Sequence, residues 1–102
     1  FALTTEEPVF DLGETKKGDI LKSEYRITNT SSEPVTISEM RIPCDCTKGE
    51  IENKTLEPGE STKVSMEVTT DYLLGFTVKS IYLQLEGSEE ELRLYISTEI
   101  KE

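Results

Sequence analysis

Apolar side chains recur at every second position along much of this chain, and that spacing restricts the fold more than any other feature of the sequence. From Leu21 onward, "LKSEYRITN" sets Leu21, Ser23, Tyr25 and Ile27 on one face and Lys22, Glu24, Arg26 and Thr28 on the other. Successive side chains of an extended strand point to opposite faces, so such a segment buries one face and wets the other. "PVTISEMRI" repeats the pattern with Val35 and Ile37, then changes phase before Met40 and Ile42, which predicts a bulge or a strand switch. "STKVSMEV" alternates Val64, Met66 and Val68; "KSIYLQLEG" aligns Ile81, Leu83 and Leu85; "ELRLYISTEI" carries Leu92, Leu94, Ile96 and Ile100. To these strong strands are added a shorter first one around Val9 to Leu12 and a weak one near Glu50 to Asn53. Apolar residues at the three-and-four spacing of an amphipathic helix are scarce.

Turn chemistry falls between the strands. In "EPGE", Pro58 supplies a fixed φ at the second position and Gly59 a positive φ at the third, the signature of a type II turn. "NTSSEP", "LLGF" and "EGSEEE" mark three further breaks. The fold class that follows is all-β, an Ig-like antiparallel β-sandwich of about seven strands. The 102 residues suit a single such domain over 1–102, with no internal repeat or low-complexity segment. With 34% apolar residues and no tryptophan, the core is thin but within the range of folded proteins.

The charge excludes several classes of partner. Twenty-one acids against 11 bases give a formal charge of −10, and Lys16 and Lys17 form the one basic pair of note. That field repels phosphate backbones and anionic lipid, so no nucleic acid is expected as a partner. No apolar run approaches the roughly 20 residues of a membrane span. No charged-then-apolar leader opens the chain, so a targeting segment is either absent or already removed, and "FALTTEE", which reads as the start of a mature domain, favours removal as the expectation.

Cys44 and Cys46 are the two cysteines, and histidine is absent. In an extended strand their Cα atoms would lie about 6.6 to 6.8 Å apart, at the upper edge of disulfide geometry, so a bridge needs a pucker or bulge. Two thiolates on one face could instead hold Cu(I), with Met40 or Met66 as a soft third ligand. A thiol-redox role needs a cation, histidine or helix N-terminus to lower a thiol pKa; Asp45 between the sulfurs opposes this, and Arg41 and Lys48 offset it only in part. Local packing, with the pair reduced or oxidised, is the preferred reading of Cys44 and Cys46.

No catalytic constellation is complete. Without histidine neither a Ser-His-Asp nor a Cys-His arrangement can be built, no Gly-rich phosphate loop occurs, and nothing singles out Glu50, Asp71 or Glu86 as an acid or base. Glu86, Glu89, Glu90 and Glu91 cluster without the spacing of an EF-hand and are read as a solvated hairpin tip. Asn29 and Asn53 begin "NTS" and "NKT", glycosylation sequons taken here as coincidence. Carbohydrate stacking would fall to Tyr72, Phe76, Tyr82 and Tyr95, which are expected in the core instead.

The segments "VFDLGE", "YRITNTS", "CDCT", "EPGES" and "GFTVKSIYL", in that order, resemble a bacterial secreted Ig-like family of unknown function, the domain-of-unknown-function 1573 family. That family carries a Cys-Gly-Cys-Thr signature, is abundant in gut Bacteroidetes, and is distantly similar to Hydin-type and major-sperm-protein domains. Asp45 departs from the pattern, standing where the family has its central glycine; if the site requires positive φ, Asp tolerates it better than most residues. The resemblance implies a β-sandwich exported to the cell envelope or beyond, often as a lipoprotein with an anchor upstream, and no established activity. The expected function is a noncatalytic envelope or extracellular module that binds another protein through an exposed edge strand or end loops, without cofactor or metal. The alternative is a copper-binding or thiol-redox protein acting through Cys44 and Cys46.

Overall fold

A computed structural model describes residues 3–89 and 91–102, which leaves Glu90 of the acidic hairpin tip, and the first two residues of "FALTTEE", outside the described residues. Among the described residues the chain forms strands only: β1 (Leu3–Thr4), β2 (Val9–Lys16), β3 (Ile20–Asn29), β4 (Val35–Arg41), β5 (Thr47–Ile51), β6 (Thr55–Leu56), β7 (Ser61–Thr69), β8 (Gly75–Leu85) and β9 (Glu91–Lys101). They build a four-stranded sheet in the order β1-β3-β7-β5 and a five-stranded sheet in the order β2-β9-β8-β4-β6. The two sheets make the all-β sandwich that the alternation predicts.

The inner faces are the residues picked out by the period of two. Leu21, Tyr25 and Ile27 of β3 and Val64, Met66 and Val68 of β7 share one buried cluster with Ile37, Ile81, Leu83, Leu85, Leu94 and Ile96 from the other sheet. Met66, proposed from sequence as a soft metal ligand, is 1% exposed in the middle of this cluster. The phase change in β4 is a register shift between Ile37 and Glu39 against β8, as the pattern requires.

Three features differ from the sequence expectation. First, β2 and β9 pair in parallel, Val9 opposite Tyr95 and Lys16 opposite Lys101, so the sandwich is not purely antiparallel. The sequence neighbours of β2, strands β1 and β3, lie in the opposite sheet. No hairpin therefore dictates its direction, and the rest of the chain serves as the long crossover that a parallel pair needs. Second, β2 runs to Lys16 rather than Leu12. A bulge between Asp11 and Glu14 breaks its apolar alternation, with Gly13 at φ +67°, its amide donating to Asp11 Oδ1 at 2.9 Å and its carbonyl accepting from Thr98 Oγ1 at 2.9 Å. Third, the weak strand lies at Thr47–Ile51 rather than Glu50 to Asn53, and the two-residue strands β1 and β6 add to the expected set.

A buried phenol fastens one layer to the other at mid-strand. Tyr25 Oη donates to the Tyr95 carbonyl of the facing sheet at 2.6 Å and accepts from Ser23 Oγ at 2.9 Å. The Glu57-Pro58-Gly59-Glu60 turn forms as the sequence predicts, with Gly59 at φ +84° and the Glu60 amide donating to the Glu57 carbonyl at 2.9 Å.

Candidate interaction edge and the disulfide turn

Pro43 ends β4. It has no N–H to give a neighbouring strand, so the ladder with β8 cannot continue past this point; the last pair is Arg41 with Tyr82. The chain then leaves the five-stranded sheet and crosses to the other, where Thr47 opens β5 opposite Val68.

The crossing is a turn braced by sulfur. The Thr47 amide donates to the Cys44 carbonyl at 3.1 Å, closing a four-residue turn over Cys44, Asp45, Cys46 and Thr47. Cys44 and Cys46 are joined by a disulfide, with their Cα atoms 5.2 Å apart. The turn draws these atoms closer than the 6.6 to 6.8 Å or so of extended chain, which is the pucker that the bridge demands. No non-glycine residue among those described has a positive φ, so Asp45 occupies its turn position without backbone strain. The Cys46 carbonyl also accepts from the Thr69 amide at 2.9 Å, tying the turn to the end of β7. Cys46 packs against the core and Asp45 faces solvent.

This crossover has a consequence for β8. From Gly75 to Ser80 the strand pairs with β9 on one side, while on the other β4 has already departed. The backbone N–H and C=O groups of that half of β8 that face away from β9 are therefore not engaged by a neighbouring strand. Because Ile81, Leu83 and Leu85 point inward, the parity of the strand turns Phe76 and Val78 outward. Tyr72, Leu74, Phe76 and Val78, spaced by two, are exposed by 97%, 56%, 76% and 48%. The expectation that Tyr72 and Phe76 lie in the core is thus corrected: Tyr72 stands on the β7–β8 turn and Phe76 on the outer face of β8. Leu73, of opposite parity, packs inward against the core.

Other open edges of the two sheets carry charge, with single exposed apolar residues only at their starts, Val9 on β2 and Ile20 on β3. Beyond its short pairing with β1, the free side of β3 runs past exposed Lys22, Glu24 and Arg26. The outer strand β5 displays Lys48 and Glu50, and β2 is bent by its bulge and flanked by Asp11, Glu14 and Lys16. Charged side chains and bulges are the usual devices that stop an edge from recruiting another strand. The first half of β8 has an apolar outer face instead.

The remaining candidates are dispersed. Tyr82 lies on the outer face with the guanidinium carbons of Arg41 and Arg93 at 4.5 Å and 5.6 Å from its ring centre. Arg41 Nη2 donates to Glu91 Oε2 at 2.7 Å, and that contact raises the pKa of the guanidinium. Glu50 sits on β5, Asp71 on the turn after β7 and Glu86 beyond β8, so the three carboxylates named from sequence are not brought together. Met40 packs over Gly49 of β5, whose missing side chain makes room for it: a Cβ there would lie 2.8 Å from Met40 Sδ. Among the described residues no three His, Cys, Asp or Glu side chains converge as a metal site would require, and no helix is long and apolar enough to cross a membrane.

Asn29 has a role that its sequon concealed. It is fully buried; its Nδ2 donates to the carbonyls of Glu33 and Leu56 at 2.8 Å and 3.0 Å, and its Oδ1 accepts from the Ser31 amide and hydroxyl. The fixed pattern of a donor amide beside a turn-forming "SSEP" was the available signal. Asn53 is exposed.

Comparison with known proteins fits this architecture. A family model described as a protein of unknown function (DUF1573) matches residues 3–100. A protein of unknown function from Porphyromonas gingivalis W83 superposes with a TM-score of 0.79 at 14% identity, over 96% of this chain and 46% of that one. The Vibrio cholerae VesB protease gives a TM-score of 0.72 at 18% identity, over 96% of this chain and 32% of the protease. The ASH / PapD-like domain of human CEP192 gives 0.71 at 15% identity, over 99% of this chain and 86% of the domain. The chain thus spans less than half the length of the two bacterial structures, and at these identities the likeness is one of fold. No curated protein matches it.

Proposed function

The chain belongs to the DUF1573 family, and from that premise we propose that it is a noncatalytic Ig-like module, residues 1–102, that makes contact with another protein in the secreted or cell-envelope compartment. The observation that carries this reading is the first half of β8, unpaired toward β4 and lined by exposed Phe76 and Val78. An apolar, strand-shaped edge left open on a soluble sandwich is costly unless a partner covers it.

The disulfide supports the compartment, since such bonds persist where the surroundings are oxidising. The family's frequent lipoprotein character supports an anchor upstream. Of the alternatives, copper binding would require the Cys44–Cys46 bond to be reduced first, and a thiol-redox role would require that bond to exchange with an incoming thiolate.

Chemical crosslinking of the purified chain into an envelope extract, with mass spectrometry of the products, tests the reading. The expected result is one protein recovered in near-stoichiometric amount by the oxidised chain. Recovery of no protein, or turnover of a small molecule traced to this chain, would overturn it.

A further inference from the structure

We propose that the Gly75–Ser80 edge of β8 pairs with the same edge of a second copy of this chain, antiparallel about a two-fold axis at Thr77, so that the two five-stranded sheets join into one. This dimer rests on the open edge that carries the module reading above, and it is what covers that edge while no other protein is bound.

Backbone parity fixes which groups can bond. The Glu86 amide donates to the Thr36 carbonyl of β4 at 2.8 Å and the Gln84 carbonyl accepts from Ser38 Oγ at 3.3 Å, so even-numbered residues of β8 turn their N–H and C=O groups toward β4. The register with β9 runs without a shift from Gly75 to Gln84. The same parity therefore carries down to Phe76 and Val78, whose N–H and C=O groups face the open side.

Side chains choose among the few registers that parity allows. With the axis at Thr77, Phe76 lies opposite Val78 of the other copy and Val78 opposite Phe76. Each exposed apolar residue thus gains an apolar neighbour on the outer face, the aromatic–β-branched pair that stabilises sheets. Thr77 meets its own equivalent in a narrow pair with Cα atoms about 4.5 Å apart. Lys79, a cation of inward parity of the kind that guards an edge, falls opposite Gly75, where no atom lies within 4 Å of the place a Cβ would take. Moving the axis to Val78 sets Phe76 against Ser80, and moving it to Phe76 sets Lys79 against Leu73, which packs into the core.

Charge and area set the strength. Within Gly75–Ser80 the charged residue is Lys79. Glu99, level with Phe76 on the outer face, is held by Lys101 at 2.9 Å. Across the seam its equivalent stands at least three strand spacings away, about 14 Å, beyond the Debye length of ~8 Å at physiological salt. The −10 of each chain therefore opposes pairing chiefly at low ionic strength. Phe76 offers on the order of 150 Å² per copy, and with so short a seam the total falls below the roughly 1,200–2,000 Å² of a standard interface. The dimer is weak, and a tighter partner displaces it. Because β2, β3 and β5 present charged or bulged edges, pairing closes at two chains.

Sedimentation equilibrium of the oxidised chain from about 10 µM to about 1 mM tests this, with amide shifts of 15N-labelled protein followed on dilution. A monomer–dimer equilibrium is expected that tightens several-fold between about 50 and 500 mM salt, with shifts centred on Gly75–Ser80. Phe76→Lys and Val78→Lys, both at exposed positions, should each weaken it at least tenfold while leaving the melting temperature unchanged. Under a mild oxidant, Thr77→Cys should link two chains at least tenfold faster than Ser80→Cys, whose equivalents lie about 20 Å apart, and peptide mapping should find the native disulfide intact. A monomer at every concentration, indifference to both lysine variants, association that salt weakens, or equal linking by the two cysteine variants overturns the proposal. If an envelope protein crosslinks through the Phe76 edge while the free chain stays monomeric, that protein is the occupant: the dimer fails and the module reading stands. If the dimer forms as described and the envelope extract yields no partner, the dimer stands and the module reading fails.

Discussion

Thr69 is bonded twice to Cys46: its amide donates to the Cys46 carbonyl at 2.9 Å and its hydroxyl to the same oxygen at 3.3 Å. The end of β7 thereby holds the crossover that takes the chain from β4 to β5, and with it the point at which β8 loses its neighbour. The sulfur bridge adds to an arrangement that backbone bonds and Pro43 already define.

The disulfide should consequently matter little to global stability. A closed loop of three residues removes about 1.6 kcal/mol of chain entropy from the unfolded state. Cys44→Ser with Cys46→Ser is expected to lower unfolding free energy by about 1 to 2 kcal/mol in urea, with an unchanged denaturant slope and an unchanged far-ultraviolet spectrum. Loss of the folded state in the double variant, or on addition of reductant, would show that the turn depends on its bridge. If Cu(I) titration of the reduced protein against a chelator shows no competition, the copper alternative falls as well.

Asn29 should matter far more. Its amide closes the corner where β3 ends, the 30–34 turn begins and β6 passes, and truncation would strip the Leu56 and Glu33 carbonyls of their donor in a buried setting. Each buried group left without its partner costs about 1 to 3 kcal/mol. Asn29→Ala is expected to cost about 2 to 4 kcal/mol in urea unfolding, and Asn53→Ala close to nothing. If the chain is made in a glycosylating host, intact-mass measurement should find sugar at Asn53 alone.

How much of this was legible beforehand depends on the length scale. The faces of β3, β7, β8 and β9 follow from local alternation; parity with Ile81 and Leu83 also turns Phe76 and Val78 outward, a signal that the assignment of Phe76 to the core does not use. Sequence gave no sight of what stood beside them. That Pro43 ends the β4 ladder is a local fact, but that its departure uncovers β8 depends on strand order, a relation between residues about 40 positions apart. The parallel β2–β9 pair was hidden for the same reason, and Asn29 because its motif suggested chemistry while its burial depends on Leu56.

Gly49 is a prediction about packing alone. Its φ is ordinary, yet a Cβ would sit 2.8 Å from Met40 Sδ and 3.3 Å from its methyl carbon. Gly49→Ala is expected to destabilise by about 1 to 3 kcal/mol, the usual cost of overpacking, because Met40 must leave its rotamer. Met40→Ala should relieve most of that penalty. The two substitutions then fail to add, and a double-mutant cycle should return a coupling of about 0.5 kcal/mol or more; strict additivity would mean that the clash is relieved by backbone movement instead.

Tyr25 sets the alkaline limit of the fold. Burial lifts its pKa above the ordinary value near 10, and the hydrogen bond from Ser23 offsets this only in part. The folded chain therefore holds the phenolic proton more tightly than the unfolded chain. That stabilisation is fully present below the unfolded pKa of about 10 and is lost as pH rises through the higher folded value. The urea midpoint should accordingly lose no stability to this group between pH 7 and about 10, then fall above that. Tyr25→Phe should lower stability at pH 7 by about 1 to 2 kcal/mol, through loss of the bond to the Tyr95 carbonyl of the facing sheet, and should flatten the alkaline decline. A decline of the same steepness in the variant would assign the alkaline sensitivity to other groups.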